Sequence, residues 1–134
     1  MSWTVAYNPD INIVEVVYAG LVTSAELEEA SAKRIRLQKE FNTTLVLADG
    51  SHMEHLAAGI IDVHNLPAEL FKSHHANRNT RMALVLPKPK EASATVKYFE
   101  TASINRGWQV RSFSNRQDAL DWLLKTRSSN TPTN

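Results

Sequence analysis

The amino-acid sequence predicts an α/β fold, in which a mixed β-sheet with parallel central strands is covered by helices. Two features carry this prediction. Near the N-terminus, two segments rich in β-branched and aromatic residues are joined by a short turn sequence. After them, helical and extended segments alternate along the chain, as they do in βαβ units. The 134 residues suit one domain, which we expect to span residues 1–127.

Turn and capping residues define the first three elements. The segments WTVAY and INIVEVVYAG flank the turn sequence NPD, so we expect an antiparallel hairpin. Thr23 then precedes Glu26 by three positions, which is the spacing of a capping box at the start of a helix.

The predicted first helix carries an apolar stripe that two polar residues interrupt. The stripe is formed by Leu27, Ala30, Leu37 and Phe41. Arg34 and Gln38 fall within it, so either they reach solvent at its edge or this face of the helix meets a polar surface. A wet homodimer interface would account for the two residues, and exposure at the edge of the stripe accounts for them equally well.

Short apolar runs and amphipathic segments predict the remaining elements. TTLVLAD and RMALVLP are bounded by turn residues, which is typical of strands covered on both faces. Between them, LPAELFKSHHANR predicts a helix with Pro67 in its first turn. KEASATVKYFETASINRG and RQDALDWLLK predict two further helices, with the alternating segment WQVRSF as a strand between them. Residues 128–134 are polar and are expected to form a flexible tail.

The sequence ADGSHMEH is interpreted as a turn that leads the third strand into a helix. Gly50 would make the turn, and Asp49 or Ser51 would cap the helix. Ligands of parallel sheets tend to bind beyond the carboxyl ends of the strands, where a helix N-terminus offers free N–H groups to an anion. The alternatives are therefore an ordinary capped turn, an anion-binding site and a phosphorylation site at Ser51.

Two histidines follow this predicted turn. His52 and His55 are three positions apart and would share one face of a helix. A zinc site needs three or four converging ligands, and the sequence has no spacing typical of one. We therefore expect no metal site and interpret the histidines as part of a polar helix surface.

The segment LAAGIIDVHNLPAELF, residues 56–71, is apolar but is broken by Gly59 and Pro67. It is interpreted as an ordinary packed helix, as a lid over an apolar pocket, or as an edge that dips into a membrane. The predicted ligand-binding residues combine this segment with the turn before it: Asp49, Gly50, Ser51, His52, Leu56, Ile60 and Phe71.

Composition and motifs argue against several functions. Fifteen Lys and Arg against fourteen Asp and Glu leave a formal charge of +1, which does not supply the basic surface that nucleic acids require. The chain has no cysteine, and the motifs of nucleotide-binding loops and serine hydrolases are absent. We therefore expect neither an enzyme nor a nucleic-acid-binding protein, and no cofactor. The expected location is the cytoplasm, with peripheral attachment to a membrane as an alternative.

Four segments carry a resemblance to a known family: YAGLVTSAELEEA, LVLADG, RMALVLP and QVRSFSNRQDALDWL. In this order they resemble the SpoIIAA-like branch of the STAS superfamily. That is the fold of bacterial anti-sigma-factor antagonists and of the cytoplasmic domains of sulfate transporters. The resemblance covers roughly residues 3–127 and implies the same mixed sheet.

The resemblance also implies two candidate functions. In anti-sigma-factor antagonists, a phosphorylatable serine lies after the third strand in an Asp-Ser-Ser-Gly type of turn. This chain has Asp49, Gly50, Ser51 and His52 there, without the paired hydroxyl residue or the following glycine. The SpoIIAA-like branch further resembles lipid-binding domains. We therefore expect a non-catalytic domain that binds a small apolar or anionic ligand, such as a lipid, near the end of the third strand. The alternative is a protein-interaction switch with Ser51 as its phosphosite.

Overall fold

A five-stranded mixed sheet forms the centre of the computed structural model, which describes residues 2–128. The strands are β1 (Trp3–Asn8), β2 (Ile13–Thr23), β3 (Leu45–Ala57), β4 (Arg81–Val85) and β5 (Gln109–Phe113). They lie side by side in chain order. β1 and β2 form the predicted antiparallel hairpin, and every later pair is parallel. The predicted fold class is confirmed. The predicted tail, apart from Ser128, lies outside the described residues.

Helices cover both faces of the sheet. They are α1 (Ser24–Phe41), α2 (Ile60–Asn65), α3 (Phe71–Ser73), α4 (Lys90–Asn105) and α5 (Arg116–Ser128), with a π-helical turn (Leu66–Leu70) between α2 and α3. α1, α4 and the helical segment from α2 to α3 pack on one face, and α5 packs on the other. No helix within residues 2–128 is both long enough and apolar enough to span a membrane.

Side-chain alternation along the strands divides the core into two clusters. Val14 and Val46 point toward α1 and α4, whereas their neighbours Ile13 and Leu47 point toward α5. All four side chains are fully buried. The central strands are therefore covered on both faces, as their continuous apolar runs predict.

The capping box at the start of α1 is present. The Thr23 side chain accepts a hydrogen bond from the Glu26 backbone N–H at 3.3 Å, and the Glu26 carboxylate accepts one from the Thr23 backbone N–H at 3.0 Å. Asn42 ends the helix in the left-handed region, at φ 51°.

The buried face of α1 differs from the predicted stripe. Arg34 and Gln38 are only 2% and 5% exposed, so neither lies at a solvent edge. Phe41 is 41% exposed and stacks on Tyr7 with ring centroids 4.1 Å apart. Because the polar surface that Arg34 and Gln38 meet lies within the same chain, they give no reason to expect a homodimer, which stays an untested prediction.

The predicted turn at Asp49 and Gly50 is wrong, because β3 continues to Ala57. β2 extends to Thr23 and offers a parallel partner along the whole length of β3. The register shifts between the pairs Val17–Asp49 and Ala19–His52. At this bulge the Asp49 carboxylate accepts a hydrogen bond from the Ser51 backbone N–H at 2.9 Å. The Asp-Gly-Ser sequence thus accommodates an irregularity within a strand instead of ending it.

The predicted position of Pro67 is also wrong. The helical segment begins at Ile60, so Pro67 lies inside it and not in its first turn. A proline lacks the N–H that an α-helix uses at interior positions. The chain accommodates this loss with the π-helical turn, in which the Phe71 N–H donates to the Leu66 carbonyl.

Candidate functional site

An apolar cavity of about 80 Å³ lies between the sheet and the helices on the α1 side. Its floor is formed by β2, β3 and β4, and its walls come from α1, α4 and the segment from α2 to α3. Most of the lining is aliphatic or aromatic. The polar side chains of the described lining are Tyr18, Ser31, Arg34 and Thr95, and none of these carries a carboxylate.

Arg34 is the charged group of this lining. Its side chain projects from α1 toward Phe71, with the guanidinium carbon 4.6 Å from the ring centroid. One terminal nitrogen, Nη1, donates to Gln38 Oε1 at 2.9 Å. The other, Nη2, is buried without a hydrogen-bond partner, and no salt bridge within residues 2–128 includes Arg34.

Gln38 fixes the orientation of the guanidinium. Its side-chain amide nitrogen donates to the Thr43 carbonyl at 3.2 Å and to the Thr80 hydroxyl at 3.0 Å. The amide oxygen is therefore held toward Arg34 by contacts from two other parts of the chain. This network holds the guanidinium, and with it the unpaired Nη2, in one orientation.

Burial perturbs both ionisable groups of the cavity. Desolvation lowers the pKa of Arg34 to about 10, because the cation is removed from water without a counter-ion. Desolvation likewise raises the pKa of Tyr18 to about 12, and the positive charge of Arg34 opposes that rise. At neutral pH the cavity therefore holds one positive charge and a neutral phenol.

The predicted ligand-binding residues divide between two places. Gly50, Leu56 and Phe71 line the cavity. Ile60 is the first residue of α2, and its side chain is outside what the structure describes. Asp49, Ser51 and His52 are not among the described residues of the lining.

Asp49 and Ser51 belong to a polar cluster on the other face of the sheet. Asp49 lies between two cavity-lining residues of β3, so its side chain points the opposite way, toward the start of α5. The Asp49 carboxylate accepts a hydrogen bond from the Ser51 hydroxyl at 2.7 Å and lies 3.6 Å from Arg116 Nη1. Arg116 also pairs with Glu15. The cluster thus holds the N-terminus of α5 against the sheet.

The histidines do not have the helical arrangement predicted for them. His52 and His55 lie on β3 with exposed side chains. Within residues 2–128, no three His, Asp or Glu side chains are grouped so that they could hold a metal ion.

Sequence analysis did not identify Arg34 or Tyr18 as site residues. The signal for Arg34 is its interruption of an apolar stripe, which is equally consistent with exposure at the edge of the stripe and with a helix face that meets a polar surface. Tyr18 gave no signal, because a tyrosine in an apolar strand is usually part of a core.

Comparisons with known proteins agree with the fold. A family described as SpoIIAA-like matches residues 13–124. No curated protein sequence matches the chain. Among solved structures, an uncharacterised protein with a SpoIIAA-like fold from Shewanella loihica is 16% identical, with a TM-score of 0.53 and coverage of 90% of this chain and 91% of that one.

Two anti-sigma-factor antagonists are also similar in structure. SpoIIAA in its unphosphorylated form is 13% identical, with a TM-score of 0.55 and coverage of 96% of this chain and 99% of that one. An anti-sigma-factor antagonist from Mycobacterium paratuberculosis is 14% identical, with a TM-score of 0.56 and coverage of 92% and 95%. At these identities the likeness concerns the fold alone. The family match spans most of the chain, and the protein belongs to the SpoIIAA-like family.

Proposed function

We propose that this protein is a non-catalytic STAS-like domain that binds a small apolar or anionic ligand in the cavity between the sheet and α1. The single observation that supports this proposal is the cavity itself, which is apolar and contains a buried cation. Cores of proteins are close-packed, and few of their voids are larger than a water molecule. A ligand would restore the contacts that the lining residues lack.

The proposed site differs from the one that the sequence suggested. A ligand here lies against the α1 face of β3 and not beyond the end of that strand. The helical segment from α2 to α3 contributes Val63, Leu66 and Phe71, which are all buried. This segment is both a packed part of the core and a wall of the site.

The experiment is to identify what the protein carries. Protein purified without denaturation would be studied by native mass spectrometry, and an organic extract would be analysed separately. We also propose Ala48→Leu, since Ala48 lines the cavity and a larger side chain there fills it. The matched control is Ala57→Leu, because Ala57 is exposed on the same strand. Ala48→Leu should lose the ligand and Ala57→Leu should retain it. A protein that carries nothing and shows no thermal shift with a panel of lipids and fatty acids would contradict the proposal.

A second candidate function is a protein-interaction switch with Ser51 as the phosphosite. The observation that favours it is the position of Ser51 beside Asp49 and Arg116. A phosphate on Ser51 would be repelled by the Asp49 carboxylate and attracted by Arg116, so it would disturb the contact that anchors α5. The structural similarity to anti-sigma-factor antagonists also supports a protein partner for this chain.

Ser51 substitutions would test this switch. Ser51→Ala and Ser51→Asp would be compared in pull-down experiments, with Ser73→Asp as the control, because Ser73 is exposed on α3. A switch requires Ser51→Asp to gain or lose a partner that Ser51→Ala and Ser73→Asp leave unchanged. Identical sets of captured proteins for all variants would rule it out.

A further inference from the structure

We infer that the cavity binds a monocarboxylate with a short apolar tail, and that Arg34 is the residue that recognises the carboxylate. This inference rests on the proposed function and specifies its ligand. It depends on three features of the cavity: the unpaired donor of the Arg34 guanidinium, the net charge of the lining, and the volume.

The Arg34 guanidinium is buried with an unpaired donor nitrogen, which favours the binding of an anion. Arg34 is 2% exposed, and its Nη2 has hydrogens but no acceptor. Buried polar groups are normally hydrogen-bonded, and buried charges are normally paired. Gln38 satisfies only Nη1 and is neutral, and the Phe71 ring against the guanidinium carries no negative charge, so Arg34 has no counter-ion among the described residues. An anion in the cavity would supply both the missing acceptor and the missing charge.

The charge of the lining favours a monoanion. Arg34 is the one cationic side chain among the described residues of the lining, which also contain no acidic side chain. A single positive charge matches a carboxylate, whereas a phosphate monoester carries nearly two negative charges at neutral pH and three strong acceptor oxygens. Arg34 supplies one positive charge, which is too little to compensate such a group.

The volume and the remaining surface favour a short apolar tail. The cavity volume of about 80 Å³ is several times the space that one buried water needs, so the site has room for a ligand larger than water. Around Arg34 the cavity wall is aliphatic and aromatic, including Leu27, Phe71 and Phe99. Such a site accommodates a chain of several methylene groups but not the two long chains of a membrane lipid.

Calorimetric titration with four probes would test the inference: octanoate, methyl octanoate, octylamine and octyl phosphate. Octanoate and methyl octanoate have the same tail and differ in charge. A charge-assisted hydrogen bond in a buried site corresponds to about a 10- to 100-fold difference in affinity. We therefore expect octanoate to bind at least about tenfold more tightly than methyl octanoate, and octylamine to bind most weakly.

Arg34→Met removes the cation and keeps an unbranched apolar side chain, which is shorter than that of arginine. In this variant octanoate should lose its advantage over methyl octanoate, while the affinity for methyl octanoate should persist. Arg36→Met is the control, because Arg36 is exposed on the same helix, and it should behave like the wild type. The wild-type comparison needs no variant, so the inference stays testable if Arg34→Met does not fold.

The outcomes separate this inference from the proposed function. Equal binding of octanoate and methyl octanoate by the wild type would overturn the role of Arg34 and leave the apolar site standing. Tighter binding of octyl phosphate than of octanoate would overturn the inference that the ligand is a carboxylate and would favour a phosphate ligand. Failure of all four probes to bind would count against both proposals.

Discussion

Replacement of Arg34 by methionine should stabilise the protein when no ligand is bound. Folding lowers the pKa of Arg34 from the ordinary value of arginine to about 10. Since one pKa unit corresponds to about 1.4 kcal/mol, burial of this cation costs the folded state about 3 kcal/mol. Below pH 10 the whole penalty is present, because both states are protonated. It disappears as the pH rises from about 10 to the ordinary pKa of arginine, where the unfolded chain binds more protons than the folded one.

The substitution also removes a favourable contact. Gln38 Oε1 would lose the hydrogen bond from Arg34, which costs about 1–2 kcal/mol when an acceptor is left buried. The substitution also removes the contact between the guanidinium and the Phe71 ring. The net effect expected for Arg34→Met at neutral pH is therefore a gain of at most about 1–2 kcal/mol in the free energy of unfolding. For a domain of this size the melting temperature would rise by at most roughly 6 °C.

Urea unfolding at neutral pH would measure this change. Each protein would first be refolded from denaturant, since a ligand that binds the folded state stabilises the wild type by mass action and would hide the gain. Arg36→Met should change the free energy of unfolding by no more than about 0.5 kcal/mol, as is usual for an exposed position. A loss of stability in ligand-free Arg34→Met would refute the reasoning, because it would mean that the cation is compensated within the chain.

Three further predictions concern single positions. Gly50→Ala should destabilise the protein by about 1–3 kcal/mol in urea unfolding, because a Cβ there would lie 3.0 Å from the Val85 carbonyl oxygen; an unchanged midpoint would contradict the close approach of β3 and β4. Tyr18→Phe should remove the component near pH 12 from the absorbance titration of the tyrosines, and loss of a component near pH 10 instead would show that Tyr18 is solvated. Thr23→Ala should cost about 1 kcal/mol in thermal unfolding through loss of the bond from the Glu26 N–H, and a change near zero would argue against the capping box.

The order of the elements could be predicted from sequence because its signals are local. The hairpin, the capping box at Thr23 and the continuous apolar runs of the central strands each depend on a few adjacent residues. Each of these signals predicts its own element, so a wrong prediction for one element does not change the predictions for the others. The alternation of helices and strands then fixes the parallel part of the sheet.

The interpretation of Asp49 and Gly50 failed because the relevant contacts are not local. Asp-Gly favours a turn in isolation. Here β2 provides a pairing partner beyond Asp49, and Gly50 is required for its closeness to Val85. Neither fact can be read from the residues near position 50. The predicted turn places a helix start at Ser51 and His52, whereas both residues lie within β3.

Arg34 shows how an interruption in an apolar pattern can mark a buried polar contact. Arginine in a helix stripe is usually a surface residue whose charged end reaches water. Arg34 is instead held inside by Gln38, whose partners Thr43 and Thr80 lie just before two different strands. The sequence contains all four residues, but only the fold brings them together.

The two candidate functions depend on residues that lie on opposite faces of the sheet. On the α5 face, Asp49 and Ser51 have polar partners nearby, and the cluster is satisfied without a ligand. On the α1 face, a cation is buried with a donor nitrogen left unpaired, at a cost in stability. Functional sites are among the places where proteins depart from the rules of stable packing. Substitutions at Arg34 and Ser51 therefore act on opposite sides of one sheet, and each candidate function is testable without altering the contacts that support the other.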